Sequence, residues 1–267
     1  MALVVCPLFS GSKGNACFVA SDRARILVDV GGSARKIQSA LEQIGCSLSQ
    51  LDAILITHEH IDHTSALGVI ARKSSLPIYA NEGTWAGIRQ TRSPGRIPVV
   101  NQVEYAGLQS FGIGDMEVIP FAVSHDACAP VGYSIRCGGS HLAIMTDTGY
   151  MTSQAWEVVR GAHCVVLESN HDPGMLFANP RYSQSLKARI SGEKGHLSNE
   201  DAAETLSRLV ALGTRRVYLA HLSQENNTPA CAFDMAAAVL ASRGIIPGED
   251  VAIHIAWQDH ISEISGF

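Results

Sequence analysis

Apolar residues along this chain alternate between two spacings. Short apolar runs at residues 3–9, 16–20, 26–30, 51–57 and 77–80 read as strands. Between them, residues 34–44 place Ile37, Leu41 and Ile44 three and four apart, which predicts a helix opened by Ser33 and stopped by Gly45. Residues 64–73 and 82–90 read as further helices, and runs at 103–105, 116–123, 133–136 and 142–146 predict a block of strands. The mixture then returns: helix at 153–159, strand at 164–167, strand at 217–220, helix at 230–242 and a last strand at 251–257. A further helix starts at Ser198 in an S-x-x-D capping pattern, turns Ala202, Leu206, Leu209 and Val210 inward and stops at Gly213. Strands followed by helices, twice over, predict an α+β fold, a four-layer αβ/βα sandwich with two sheets face to face. No linker-like stretch divides the chain, so one domain over 1–267 is expected.

Composition narrows the function. With 267 residues, 46% of them hydrophobic, the chain can bury one large core. The net charge of −5 rules out a global basic field, so any nucleic-acid contact has to be a local groove. The seven cysteines are odd in number and form no C-x-x-C pair, which argues against a disulfide framework or a cysteine zinc site. Cys17, Cys128 and Cys164 read as packing residues. No leader and no membrane-spanning apolar run is visible, so a cytoplasmic setting without a membrane partner is expected.

The chemistry concentrates at His58-Glu59-His60-Ile61-Asp62-His63, where a strand runs into a helix. Three imidazoles and a carboxylate within six residues suit Zn, Mn or Fe. Four residues cannot complete two metal sites. Polar residues at the ends of other apolar strands are the candidates for the rest: His125, Asp147 and His221. Each taken alone also reads as an exposed histidine or a turn aspartate.

This loop, the later His125, Thr146-Asp147-Thr148-Gly149 and Leu219-Ala220-His221 resemble the metallo-β-lactamase superfamily. Residues 10–15, 77–81, 124–127, 168–172, 195–199 and 221–227 extend the resemblance to its YycJ/WalJ group, cytoplasmic proteins regarded as nucleases. Lys13 stands where that group often has Ser. The resemblance implies two divalent transition-metal ions, Zn or Mn, with Fe also accepted. His58, His60 and His125 would hold one ion, Asp62, His63 and His221 the other, and Asp147 would bridge them. It further implies a metal-bridging hydroxide as nucleophile, with Asp62 steadying it, and an Asp29 that orients the ligand loop by hydrogen bonds. His196 in Gly195-His196-Leu197-Ser198-Asn199 is similar to a histidine of tRNase Z enzymes near the leaving group, and is read as a catalytic proton donor.

Softer candidates surround this set. Glu168 and His171 close an apolar strand and are expected beside the ligands or against phosphate. Ser12 and Asn15 sit in a Gly-rich turn able to offer N–H groups to an anion. Arg181, Lys187, Arg189 and Lys194 fall within fourteen residues and form a candidate nucleic-acid track, with Arg89, Arg92 and Arg96 as the second choice. The favoured function is a phosphodiesterase acting on DNA rather than RNA, with exonuclease action. The alternative is a thioester or lactam hydrolase, and the oligomeric state stays open.

Overall fold

A computed structural model describes residues 2–91 and 93–267. In chain order the strands are β1 Val4–Phe9, β2 Ala16–Ala20, β3 Arg25–Val28, β4 Ala53–Leu55, β5 Ile78–Asn81, β6 Gln102–Tyr105, β7 Phe111–Ile113, β8 Met116–Ala122, β9 Val131–Cys137, β10 Ser140–Met145, β11 Cys164–Glu168, β12 Arg216–Ala220, β13 Ala252–Ile255 and β14 Ser265–Gly266. They form two seven-stranded sheets, ordered β14-β1-β2-β3-β4-β5-β6 and β13-β12-β11-β10-β9-β8-β7. Each sheet has an antiparallel part, β14 through β3 or β7 through β10, and a parallel part, β3 through β6 or β10 through β13.

The helices are α1 Ala34–Gln43, α2 Ile61–Thr64, α3 Leu67–Ala71, α4 Glu82–Gln90, α5 Ser153–Val159, α6 Pro173–Ala178, α7 Gln184–Ile190, α8 Asn199–Ala211 and α9 Pro229–Ser242. Strand alternation decides which layer each side chain joins. In β3, Ile26 and Val28 face the other sheet while Leu27 faces the helices. In β10, Leu142 and Ile144 face the first sheet while Ala143 and Met145 face outward. The centre therefore joins Val5, Val19 and Leu55 to Val118, Ile135 and Val166. On one outside, Ile37, Leu41, Leu67, Ile70 and Trp85 cover the first sheet; on the other, Val159, Leu206, Leu209 and Leu240 cover the second. This is the expected four-layer sandwich.

The helix expected at 64–73 is divided. The Ala66 N–H donates to the Val30 carbonyl at 3.0 Å, and the Ser65 hydroxyl donates to the Gly32 carbonyl at 2.7 Å. These bonds tie the segment to the Gly31-Gly32 break and separate α3 from α2, which begins inside the ligand motif at Ile61. Cys17 and Cys164 pack in the centre as expected, but Cys128 is exposed, because its loop lies on the surface beside His125. No helix among the described residues is long and apolar enough to cross a membrane.

Candidate metal centre

The predicted ligands leave the sheets at one rim. Asp29 follows β3, the 58–63 loop follows β4, His125 follows β8, Asp147 follows β10 and His221 follows β12. Asp29, Asp147 and His221 adopt left-handed backbone, with φ of 63°, 58° and 56°. Asp and His tolerate that region better than most residues, at a cost of about 1–3 kcal/mol each, and it turns the side chain off the strand axis toward the rim. Gly31 holds the loops together. A side chain there would strike the Asp62 carbonyl, which accepts the Asn15 N–H at 2.8 Å.

Hydrogen bonds fix which imidazole nitrogen faces the centre. Asp29 accepts the Thr57 N–H and the Thr57 hydroxyl, both at 2.9 Å. That hydroxyl has one proton, so His58 Nδ1–H, 3.0 Å away, is the donor to it, and His58 Nε2 is left bare. His63 Nδ1 donates to Asp29 at 2.8 Å, His125 Nδ1 to the Gly195 carbonyl at 3.2 Å and His221 Nδ1 to Glu168 at 2.8 Å. Four rings are thus anchored at the nitrogen that points away, as metal-ligating histidines are.

The inward atoms converge. His58, His60 and His125 bring ligand atoms within 4.8 Å of one another, as do His58, His63 and Asp147, and Asp62, His63 and His221. Buried His58 Nε2 and His221 Nε2 find no hydrogen-bond partner, and Asp147 Oδ2 meets no donor while His63 is neutral. An orphaned buried polar atom costs about 1–3 kcal/mol, so three together fit cation ligation. Neutral His63 would set its Nε2 lone pair 3.1 Å from an Asp147 oxygen, acceptor against acceptor. In the metal-free protein a proton resolves this: burial opposes charge on His63 and His221, but Asp147 and the neighbouring carboxylates raise both well above the usual histidine range. Burial, reinforced by nearby imidazoles, keeps His58 and His125 neutral. Asp147 is held well below the usual carboxylate range: burial opposes this, and His221 and His63 outweigh it.

Glu168 is the hub behind these ligands. It is fully buried, one oxygen accepts from His221 Nδ1 and His196 Nδ1 at 2.8 Å each, and the other accepts the Thr148 and Leu197 N–H groups at 2.8 and 3.3 Å. Burial raises its pKa, but His196 and these bonds bring it down to about 2. With both oxygens occupied, Glu168 orients histidines. A Glu168 oxygen also lies with ligand atoms of Asp147, His196 and His221, all within 4.8 Å of one another. His171 is buried, its carbonyl accepts the Asn199 N–H at 2.8 Å, and its Nδ1 finds no hydrogen-bond partner. In the Gly-rich turn it is Asn15 that reaches the ligands, its amide 3.0 Å from His63 Nε2, whereas Ser12 is exposed on the turn.

The basic run splits. Lys187 is buried, and its Nζ donates to the Phe177 carbonyl at 2.7 Å, capping the end of α6 and leaving the track. Arg181 is exposed and paired with Glu225; Lys194 is exposed. Arg189 Nε and Nη2 both reach Asp126 Oδ2 at 2.6 Å, and the other Asp126 oxygen lies 3.4 Å from His125 Nε2. Asp126, unnoticed in the sequence although it adjoins a ligand, thereby sets a guanidinium at the mouth. Arg92 of the second-choice run lies outside the described residues.

A family model described as a Beta-lactamase superfamily domain matches residues 24–222. The chain belongs to the metallo-β-lactamase superfamily. It is closely related there to Exodeoxyribonuclease YycJ of Bacillus anthracis, 40% identical over 254 residues and 95% of each chain. Exodeoxyribonuclease WalJ of Streptococcus pneumoniae is also 40% identical, over 220 residues, covering 82% of this chain and 81% of the relative. Among solved structures, YhfI of Bacillus subtilis superposes over the whole of both chains with a TM-score of 0.71 at 16% identity. The short form of human tRNase Z gives 0.63 at 16% identity, over 99% of this chain and 100% of that one. These two likenesses show the fold. Superfamily membership together with the converging ligand clusters makes the chain a metal-dependent hydrolase.

Proposed function

We propose that this hydrolase is a nuclease that cuts phosphodiester bonds of DNA, working from strand ends. The carrying observation is the pair of ligand clusters around Asp147, with His196 beside them on the hub that orients His221. The relatives named as exodeoxyribonucleases supply the substrate class. His58, His60 and His125 would hold one ion, Asp62, His63 and His221 the other, with Asp147 between. Two ions so held lower the pKa of an attacking water and neutralise charge on the phosphoryl oxygens.

The chain's own residues do the rest. Glu168 holds His196 by Nδ1, which turns Nε2 toward the substrate side. Burial opposes a charge on that ring, but Glu168 and Asp147 raise its pKa, so it carries a proton for the leaving oxygen. Asp126 presents Arg189 to an incoming phosphate, and Lys194 extends the positive edge. Both sheets contribute ligands, which supports reading 1–267 as one domain. The unbonded cysteines suit a reducing, cytoplasmic setting.

The test is digestion of end-labelled linear DNA, circular DNA and RNA with added Mn or Zn, with Asp62→Ala as control. Shortening of linear DNA from its ends by the parent alone is expected. Turnover of a thioester with both polymers left intact would replace this reading with the small-molecule hydrolase.

A further inference from the structure

The rim beside the metal ligands carries an aromatic face that the hydrolysis itself leaves unused. β12 and β13 are parallel, with Leu219 opposite Ile255, so His221 and Trp257 each stand two residues beyond paired positions at the same edge. Ser10 joins them: its N–H donates to the Trp257 carbonyl and its Oγ accepts the His221 N–H, both at 2.8 Å. Gln258 adds a bond of 2.6 Å to the Leu222 carbonyl. Between this loop and the first turn of α9 lies a cavity of about 310 Å³, walled by Leu222, Thr228, Pro229 and Trp257. That volume is at the lower end of the ~300–1,000 Å³ typical of small-molecule sites.

Trp257 is 38% exposed. His260 stacks on it with ring centroids 5.0 Å apart and planes 24° apart, yet His260 is no part of the cavity wall. The indole is stacked by His260 and forms part of the cavity wall. The walls also select by charge. Asp259 is the one charged residue among them, and no cation lines the cavity. A phosphate finds no anchor there. A flat, uncharged ring suits it, and the polar residues Gln224 and Ser223 are among those lining it.

We infer that this cavity is a base-binding subsite in which an unpaired nucleobase of the strand being cut stacks on Trp257, beside the His221 ligand. The inference rests on the nuclease reading and deepens it. A base held there has left its duplex partner, so single strands and frayed ends are taken ahead of internal duplex.

The experiment uses the metal-loaded full chain and labelled single-stranded DNA and RNA oligonucleotides, intact or with one abasic site moved stepwise from the end. Base–aromatic stacking is worth a factor of about 5–150. Trp257→Ala should raise Kd and KM by that factor while metal content and thermal midpoint stay at parental values. Trp257→Phe should keep most of the affinity. The parent should lose a similar factor at one abasic position, and Trp257→Ala should be indifferent to it. An effect confined to RNA keeps the subsite and moves the substrate class. The subsite is refuted if the parent cuts intact and abasic strands equally well, or if Trp257→Ala discriminates between them as the parent does. A parent that neither binds nor cuts any strand removes the nuclease reading, and the subsite with it.

Discussion

Glu168→Gln is the substitution that isolates the hub. The carboxylate faces four N–H donors: two imidazoles on one oxygen and two backbone groups on the other. An amide has one accepting end and one donating end, so either orientation sets its NH₂ against two donors. If the NH₂ faces the backbone, two buried N–H groups lose their acceptor, at about 1–3 kcal/mol each. If it faces the rings, His221 must shift its proton from Nδ1 to Nε2, and His196 must give up its Nδ1 proton. His221 then presents N–H where it should present a lone pair. Loss of such an orienting partner typically costs about 10–100-fold in metal affinity. His196 would also lose the carboxylate that keeps it charged, for a further drop of about 100–10,000-fold in kcat at saturating metal. Chelator competition measures the first effect, and single-turnover cleavage of an end-labelled strand in excess metal the second. His196→Ala separates the two, since it should slow cleavage by the same factor while both ions stay bound. The reasoning fails if Glu168→Gln keeps metal affinity within about threefold and kcat unchanged, for the tautomers would then be set by something other than this carboxylate.

Loading the metal-free protein should release protons, because His63 and His221 are charged before ligation and must be neutral after it; calorimetry in buffers of different ionisation enthalpy counts them. Their raised pKa values stabilise the metal-free fold below the ordinary histidine pKa, and that contribution is lost as pH rises through the raised values. Metal affinity runs the other way, so the Tm gained on loading should grow as pH rises from the ordinary histidine range through those raised values, and a constant gain would contradict the assignment. Arg189→Gln should reduce the salt slope of DNA binding by about 0.7–0.9 per lost phosphate contact. Lys187→Ala should instead lower Tm and leave that slope as it was, because its Nζ serves the Phe177 carbonyl.

The sequence and the structure agree where local pattern and tertiary packing ask for the same thing. The apolar alternation in β3 and β10 foretells which layer each residue joins. Ser198 announces α8, and its hydroxyl accepts the Asp201 N–H at 3.1 Å. The ligands are legible because each stands at the end of an apolar run, where a polar residue has no packing reason to be. Agreement stops where a long-range bond decides. Nothing local says that the Ala66 N–H will choose the Val30 carbonyl and split a helix. Lys187 has the same local signature as Arg189, a cation on a short segment. Only the fold shows that one side chain turns inward to a helix end and the other outward to Asp126. Trp257 follows the same rule: only Ser10, far away in sequence, ties it to His221.

The backbone explains why the site lies on the seam between the halves of the molecule. Asp29 ends a strand of one sheet, and Asp147 and His221 end strands of the other, and all three leave in left-handed conformation. No neighbour in sequence holds them there. Ser10, on the first sheet, accepts the His221 N–H; Asp29 clamps Thr57 and His63; Glu168, on the second sheet, holds the Thr148 N–H beside Asp147. Asp29 and His221 are thus each bonded to another element, and Asp147 is held through its neighbour Thr148, whose buried N–H would be orphaned by loss of the Glu168 carboxylate. Packing the two sheets together is what brings the candidate ligands into one set.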